Sequence, residues 1–302
     1  MYKRQYPHFS AKTHNKKLED DILGHAAKYQ ARYGVKLYAF AIEGNHIQFP
    51  ALFSKGNRAD FMRDLNSWVA RAVPRFQKKY PGGRLWGRRY SVEYLPGDGD
   101  VEELFYYTVL QPVQDGLVDD IARYPGYNCF EDAITGRKRK FKVVRRKEYN
   151  DAKRWRSNTR IELFTDIVEL EYTRLPGYEE LSQKNYEVLM RRKLKERTAR
   201  VIESRKGRPC MGREALKRVR PGSVPHRTKT STATDHRPRI LSKNKQRLER
   251  GKAWYFSIYH EYREKSVRYR AGARNVEFPL GTYKPPVFTK LRPGTILDYR
   301  PE

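Results

Sequence analysis

The sequence predicts an α+β protein in which a compact unit with one antiparallel sheet, residues 1–136, precedes a basic, mostly helical extension, residues 137–302. Two observations lead there. Apolar residues in the first part alternate between helical spacing and short extended runs, in the order β-α-β-β-α-β-α. The charge is also uneven: residues 1–136 carry 19 basic and 16 acidic side chains, whereas residues 137–302 carry 45 and 19. The break falls at Arg137-Lys138-Arg139-Lys140.

Residues 6–12 read as a short strand. Leu18, Ile22, Ala26 and Tyr29 recur at helical spacing through Arg32, and Gly34 is a natural stop. Residues 35–42 are apolar on both faces, the pattern of a central strand. Gly44-Asn45 makes a turn, and residues 46–53 form the returning strand. Pro50 has no N–H for a ladder, so a bulge or a lost partner is expected there. Asn57 or Asp60 then caps a helix carrying Phe61, Leu65, Trp68, Val69 and Ala72, which Pro74 kinks or ends. Residues 84–95 are extended. Asp98 and Asp100 open a helix from Val101 to roughly Val118, and Pro112 should kink it or finish it near Leu110.

In the extension, residues 178–204 form a long basic helix and residues 212–219 a short helical stretch. Residues 221–238 read as a linker. Residues 244–270 form a second basic helix bearing Trp254, Tyr255, Ile258, Tyr259 and Tyr262, aromatics more suited to packing than to base stacking. The tail over residues 278–286 is too rich in proline and glycine for helix or central strand.

The 302 residues hold 64 Lys+Arg against 35 Asp+Glu, a net charge of +29. A field of that size selects a polyanion as partner. Nucleic acid leads, because no apolar run approaches the ~20 residues of a spanning helix. Cys129 and Cys210 lie far apart without Cys-x-x-Cys spacing, which argues against a disulfide scaffold or a zinc site. The first residues lack the apolar stretch of a secretory signal. A soluble protein of a reducing compartment is expected.

Three features bear on chemistry. In a strand, His46 and Gln48 of His46-Ile47-Gln48 share one face, so an imidazole and an amide oxygen can converge on one cation. Taken alone, the same triplet also reads as the solvated outer face of a strand. In a helix, Tyr107 and Gln111 lie one turn apart on one face, although Tyr106 adjoins Tyr107 and Gln111 also suits a cap before Pro112. Arginines cluster nearby at Arg84, Arg88 and Arg89, while Trp86 and Tyr90 read as packing residues.

In order and spacing, these blocks resemble the HUH single-tyrosine transposases, the group that includes the REP-associated tyrosine transposases. Gly44-Asn45-His46-Ile47-Gln48 stands where that family has Pro-Asn-His-hydrophobic-His. Leu85-Trp86-Gly87-Arg88-Arg89-Tyr90 is similar to its Gly-x-x-Trp-x-x-Arg-Tyr signature. The run from Glu103 through Tyr107, Gln111 and Pro112-Val113 to Gly116-Leu117-Val118 is similar to its tyrosine helix. Tyr124-Pro125-Gly126 follows as in the family, and Phe278-Pro279-Leu280-Gly281 with Pro285-Pro286 resembles the tail of its long-extension branch.

The resemblance implies a ferredoxin-like sheet with flanking helices, and metal-dependent cleavage and joining of single-stranded or hairpin DNA through a 5′-phosphotyrosine. Tyr107 would be the nucleophile. His46, Gln48 and Gln111 would hold a divalent metal, Mg²⁺ or Mn²⁺. Asn45, Arg84, Arg88, Arg89, Arg137, Lys138, Arg139 and Lys140 are the expected nucleic-acid contacts. A bacterial cytoplasmic protein of the nucleoid, able to form a homodimer, is implied. Three positions depart from the family: Gln48 replaces the second histidine, Gly44 replaces proline, and Gln111 replaces asparagine. A His/Gln/Gln set without a carboxylate should hold metal weakly. Two other classes therefore stay open: a non-catalytic DNA-binding regulator on the same fold, and an RNA-binding protein suggested by charge alone.

Overall fold

Asn15 caps the first helix, α1 (Lys16–Tyr33), its side chain accepting the Leu18 N–H at 3.3 Å. The helix stops at Gly34, whose left-handed conformation (φ 63°) a side chain would strain. The computed structural model describes residues 15–44, 46–77, 80, 82–86, 90–156, 158–219 and 239–287. The strand expected at residues 6–12 and the linker at 221–238 lie outside them.

The hairpin expected over residues 35–53 forms in two pieces. β1 (Lys36–Leu37) pairs with β4 (Ala51–Leu52), and β2 (Ala41–Ile42) pairs with β3 (Ile47–Gln48), all antiparallel. Leu37 faces Ala51 while Ala41 faces Gln48, so residues 38–40 stand against residues 49–50 alone. This is the bulge that Pro50 calls for: the proline lends only its carbonyl, accepting the Tyr38 N–H at 3.1 Å. Helix α2 (Arg58–Phe76) follows and accommodates Pro74 in its last turn.

Three expectations need correction. Residues 84–95 make no ladder among the described residues beyond one parallel bridge from Tyr94 to Ile240. Of the two outcomes expected at Pro112, a kink or an end near Leu110, the end does not occur: α3 (Asp98–Gln114) runs one turn further. The antiparallel pairing also forms three two-stranded ladders among the described residues, not one sheet. The third ladder, β5 (Arg139–Val144) with β6 (Thr165–Leu170), lies in the region expected to be helical. The helix α4 (Phe130–Thr135) precedes it, and α5 (Arg146–Trp155) is inserted between its strands. The remaining helices are α6 (Gln183–Ser204), α7 (Arg213–Arg218) and α8 (Lys245–Arg270). The protein is thus of mixed helix and sheet.

Packing does not change where the charge changes. One apolar cluster joins Ile22, Leu23, Phe40, Phe61, Phe105 and Leu110 to Phe141, Leu170, Tyr186 and Met190 from beyond residue 136. Helix α1 crosses the third ladder at Gly24, where a Cβ would meet Val143 Cγ2 at 3.0 Å and Phe141 Cβ at 3.1 Å. The Gln30 amide holds the Glu171 carbonyl at 2.8 Å, and the Thr173 N–H reaches the Leu37 carbonyl at 2.7 Å. By contrast, α8 buries only Ser266; Trp254 and Tyr255 rest edge-on against Tyr94, and Tyr262 lies tilted against Phe278. The core packing expected of its aromatics is not what forms: they pack at the surface, with Trp254 51% exposed. Among the described residues no helix is long and apolar enough to cross a membrane.

Candidate functional site

The turn from β2 to β3 and the middle of α3 build the site. The Glu43 N–H donates to the His46 carbonyl at 2.9 Å and closes the turn, and Ile42 pairs with Ile47. Ile47 points into the apolar cluster, so His46 and Gln48 share the opposite face. That face is not solvated: His46 is 1% exposed and Gln48 6%. The reading of this triplet as a solvated strand surface is thereby set aside.

A hydrogen bond ties this strand to the tyrosine helix: Gln48 Nε2 donates to Thr108 Oγ1 at 3.1 Å, with both side chains buried. The amide nitrogen being so used, the oxygen Gln48 Oε1 is left buried with no hydrogen-bond partner among the described residues. Gln111 is in the same condition. Its Nε2 reaches toward Asp115 at 3.5 Å and its Oε1 is buried without a partner. An orphaned buried carbonyl costs about 1–3 kcal/mol, so two of them in one region need a reason. A hard divalent cation supplies one, since it takes neutral oxygen donors alongside imidazole. Among the described residues no three His, Cys, Asp or Glu side chains gather for a metal. Any ion here therefore relies on carboxamides.

The two adjacent tyrosines are sorted by burial. Tyr106 is 1% exposed, gives its hydroxyl proton to the Met190 carbonyl at 3.0 Å, and lies beneath the Arg197 guanidinium, 4.5 Å from its ring centre. Tyr107 is 39% exposed. Its phenol is raised above the ordinary value, first by desolvation and then by the charges of Asp115, Glu93 and Glu43. A cation among those carboxylates would act in the opposite sense and favour the phenolate.

The extension holds this helix in place. Glu102 pairs with Lys193 at 2.9 Å and Arg197 at 3.2 Å, and accepts the Tyr178 hydroxyl. Glu103 pairs with Arg197 at 2.6 Å and Lys243 at 3.0 Å. The Arg197 hydrogen bond is the main reason that the Glu103 carboxyl is held down at about 2. An Arg197→Met exchange is expected to let that carboxyl rise toward ~4.5, seen by NMR titration, and to lower stability by about 1–2 kcal/mol. An unmoved Glu103 would show that Lys243 alone sets its charge.

The other expected site residues fare unequally. Arg84 is exposed, while Asn45, Arg88 and Arg89 lie outside the described residues. Trp86 is a packing residue, its indole N–H bound to the Asn66 carbonyl at 2.9 Å. The run 137–140 meets carboxylates: Lys138 pairs with Glu171 at 2.7 Å, Lys140 with Glu169 at 3.4 Å, and Arg137 and Arg139 with Asp132 at 4.0 and 3.4 Å. Arg139 also lies over the rings of Tyr127 and Phe141, which leaves it little reach toward a phosphate. One residue escaped the sequence reasoning. Glu43 is 3% exposed and its Oε2 stands 3.8 Å from His46 Nε2. The signal was an acidic residue closing the apolar run Ala39-Phe40-Ala41-Ile42.

No family model, curated protein or solved structure matches the chain.

Proposed function

We propose that the protein is an HUH-type single-tyrosine nuclease, transposase-like, that cuts and rejoins single-stranded or hairpin DNA. The observation that carries this reading is the pair of buried amide oxygens without a partner among the described residues, on Gln48 near His46 in the chain and on Gln111 one turn from the exposed Tyr107. His46, Gln48 and Gln111 would hold Mg²⁺ or Mn²⁺, which would supply positive charge at the scissile phosphate. Tyr107 Oη attacks phosphorus and loses its proton. The bond from phosphorus to the 3′ oxygen breaks, and that oxygen leaves as a hydroxyl. The 5′ phosphate stays on the phenol, so the phosphodiester's free energy is kept for joining to another 3′ end. On this reading the N-terminal unit is a ferredoxin-like nuclease domain, and the extension grips the DNA flanks. Its 45 basic residues against 19 acidic ones make the grip steeply salt-dependent.

The test is to incubate the protein with end-labelled hairpin oligonucleotides and Mn²⁺, then to look for a denaturant-resistant adduct and map it by mass spectrometry. An adduct on Tyr107 is expected. Tight, salt-sensitive DNA binding without any adduct across a broad oligonucleotide library would replace the nuclease by a non-catalytic DNA-binding protein. Preference for RNA over matched single-stranded DNA would replace both.

A further inference from the structure

A donor set of one imidazole and two amides leaves the proposed metal site without negative charge, and such a set binds Mg²⁺ or Mn²⁺ poorly. Glu43 changes this. It follows β2 at the turn into β3 and is 3% exposed, close to His46. Its position is fixed by main chain: the Glu43 N–H binds the His46 carbonyl at 2.9 Å, and the Ile42–Ile47 pair holds the register beneath it.

The distance to His46 is informative. Glu43 Oε2 and His46 Nε2 are 3.8 Å apart, too far for a hydrogen bond. Two donors bound at ~2.1 Å to one ion stand ~3.0 Å apart when adjacent and ~4.2 Å apart when opposite. A separation of 3.8 Å falls inside that range. The same turn also carries the strand on to Gln48, whose Oε1 is buried without a partner.

We infer that Glu43 is a carboxylate ligand of the divalent ion and that the donor set is Glu43, His46, Gln48 and Gln111. The inference rests on the metal-site reading above and deepens it. One carboxylate oxygen, two amide oxygens and one imidazole nitrogen suit Mn²⁺ or Mg²⁺ better than a thiolate-preferring ion. The acidic donor offsets the loss of a second histidine at position 48. The residue that makes the triplet unusual, Gln48, is thus answered five positions before it.

The experiment measures Mn²⁺ alone, without DNA, binding to the full chain by calorimetry and by the loss of the free-ion EPR signal. Glu43→Gln keeps the shape and removes the charge. It is expected to weaken Mn²⁺ binding at least tenfold, while its metal-free thermal unfolding shows that the fold is intact. His46→Ala is expected to weaken binding by a similar factor. If His46→Ala weakens binding and Glu43→Gln leaves it unchanged, the carboxylate ligand is overturned and the metal site stands. If wild type binds no Mn²⁺, or His46→Ala leaves binding unchanged, the metal site itself is overturned. Should Glu43→Gln unfold, Glu43→Asp replaces it. The shortened carboxylate should then lose affinity by a factor between those of wild type and His46→Ala, and wild-type affinity would count against ligation.

Discussion

Tyr107→Phe is expected to abolish the covalent adduct with DNA and to reduce cleavage by at least about 10⁴-fold, while DNA affinity stays within about twofold of wild type. The exchange removes one oxygen from a ring that is 39% exposed, so the fold loses little. Its neighbour is the natural control. Tyr106→Phe deletes a buried hydroxyl that donates to the Met190 carbonyl at 3.0 Å, which should cost about 1 kcal/mol of stability and leave the adduct intact. Denaturing gels read the first effect and urea unfolding reads the second. The pair separates chemistry from packing on two adjacent residues of one helix. An adduct that survives Tyr107→Phe and disappears in Tyr106→Phe would reverse the assignment and, with it, the orientation of α3.

The elements that could be read from sequence are those whose signals are local. Helix α1 shows its apolar stripe and its stop at Gly34, and Pro50 announces the bulge in the first hairpin because a missing N–H must show itself in a ladder. Pro112 does not end its helix because tertiary packing overrides propensity. Leu110 and Val113 on either side of it are buried, and the Pro112 carbonyl takes the N–H groups of Leu117 and Val118, so the helix carries on to Gln114. The β5–β6 ladder was hidden for a different reason. Residues 145–164, with α5 among them, separate its strands, so no tight-turn signal marks it. Its first strand also begins within the basic run that reads as a phosphate patch, and Phe141 and Val143 point inward on either side of Lys142. For the site, spacing alone put His46 and Gln48 on one face, while the choice of Tyr107 over Tyr106 came from the family resemblance. Burial, which sequence does not state, removed the solvated reading of that face and brought in Glu43.

Stability is expected to fall as pH is lowered from about 7 toward 4, with His25 as a main cause. This imidazole is 2% exposed, stacks on Trp68 with ring centres 3.6 Å apart, and donates from Nδ1 to the Asp21 carbonyl at 2.8 Å. Desolvation drives its pKa down to about 3, and the positive charges of Lys28, Arg75 and Arg146 push the same way. In the unfolded chain a histidine takes its proton near 6.5. Between the two values the unfolded state binds a proton that the folded state refuses, so acid favours unfolding. The contribution is fully present above 6.5 and is lost progressively as pH falls toward 3. Its slope approaches about 1.4 kcal/mol per pH unit, or roughly 2 kcal/mol between pH 6.5 and 5. Asp21 works against it at the acid end. The Trp68 indole N–H binds its carboxylate at 2.8 Å, yet burial still raises its pKa, so protonating Asp21 restores some stability to the folded state. His25→Phe keeps a ring against Trp68 and cannot titrate. Urea unfolding at several pH values between 4.5 and 8 should give the variant a flatter profile than wild type. At pH 8 the variant should be less stable by about 1 kcal/mol, because the larger ring crowds the α1–α2 contact. The two curves should converge as pH falls and cross at pH ~6. Parallel curves would mean that the imidazole is charged in the folded protein, or reaches water by a route that its burial does not suggest.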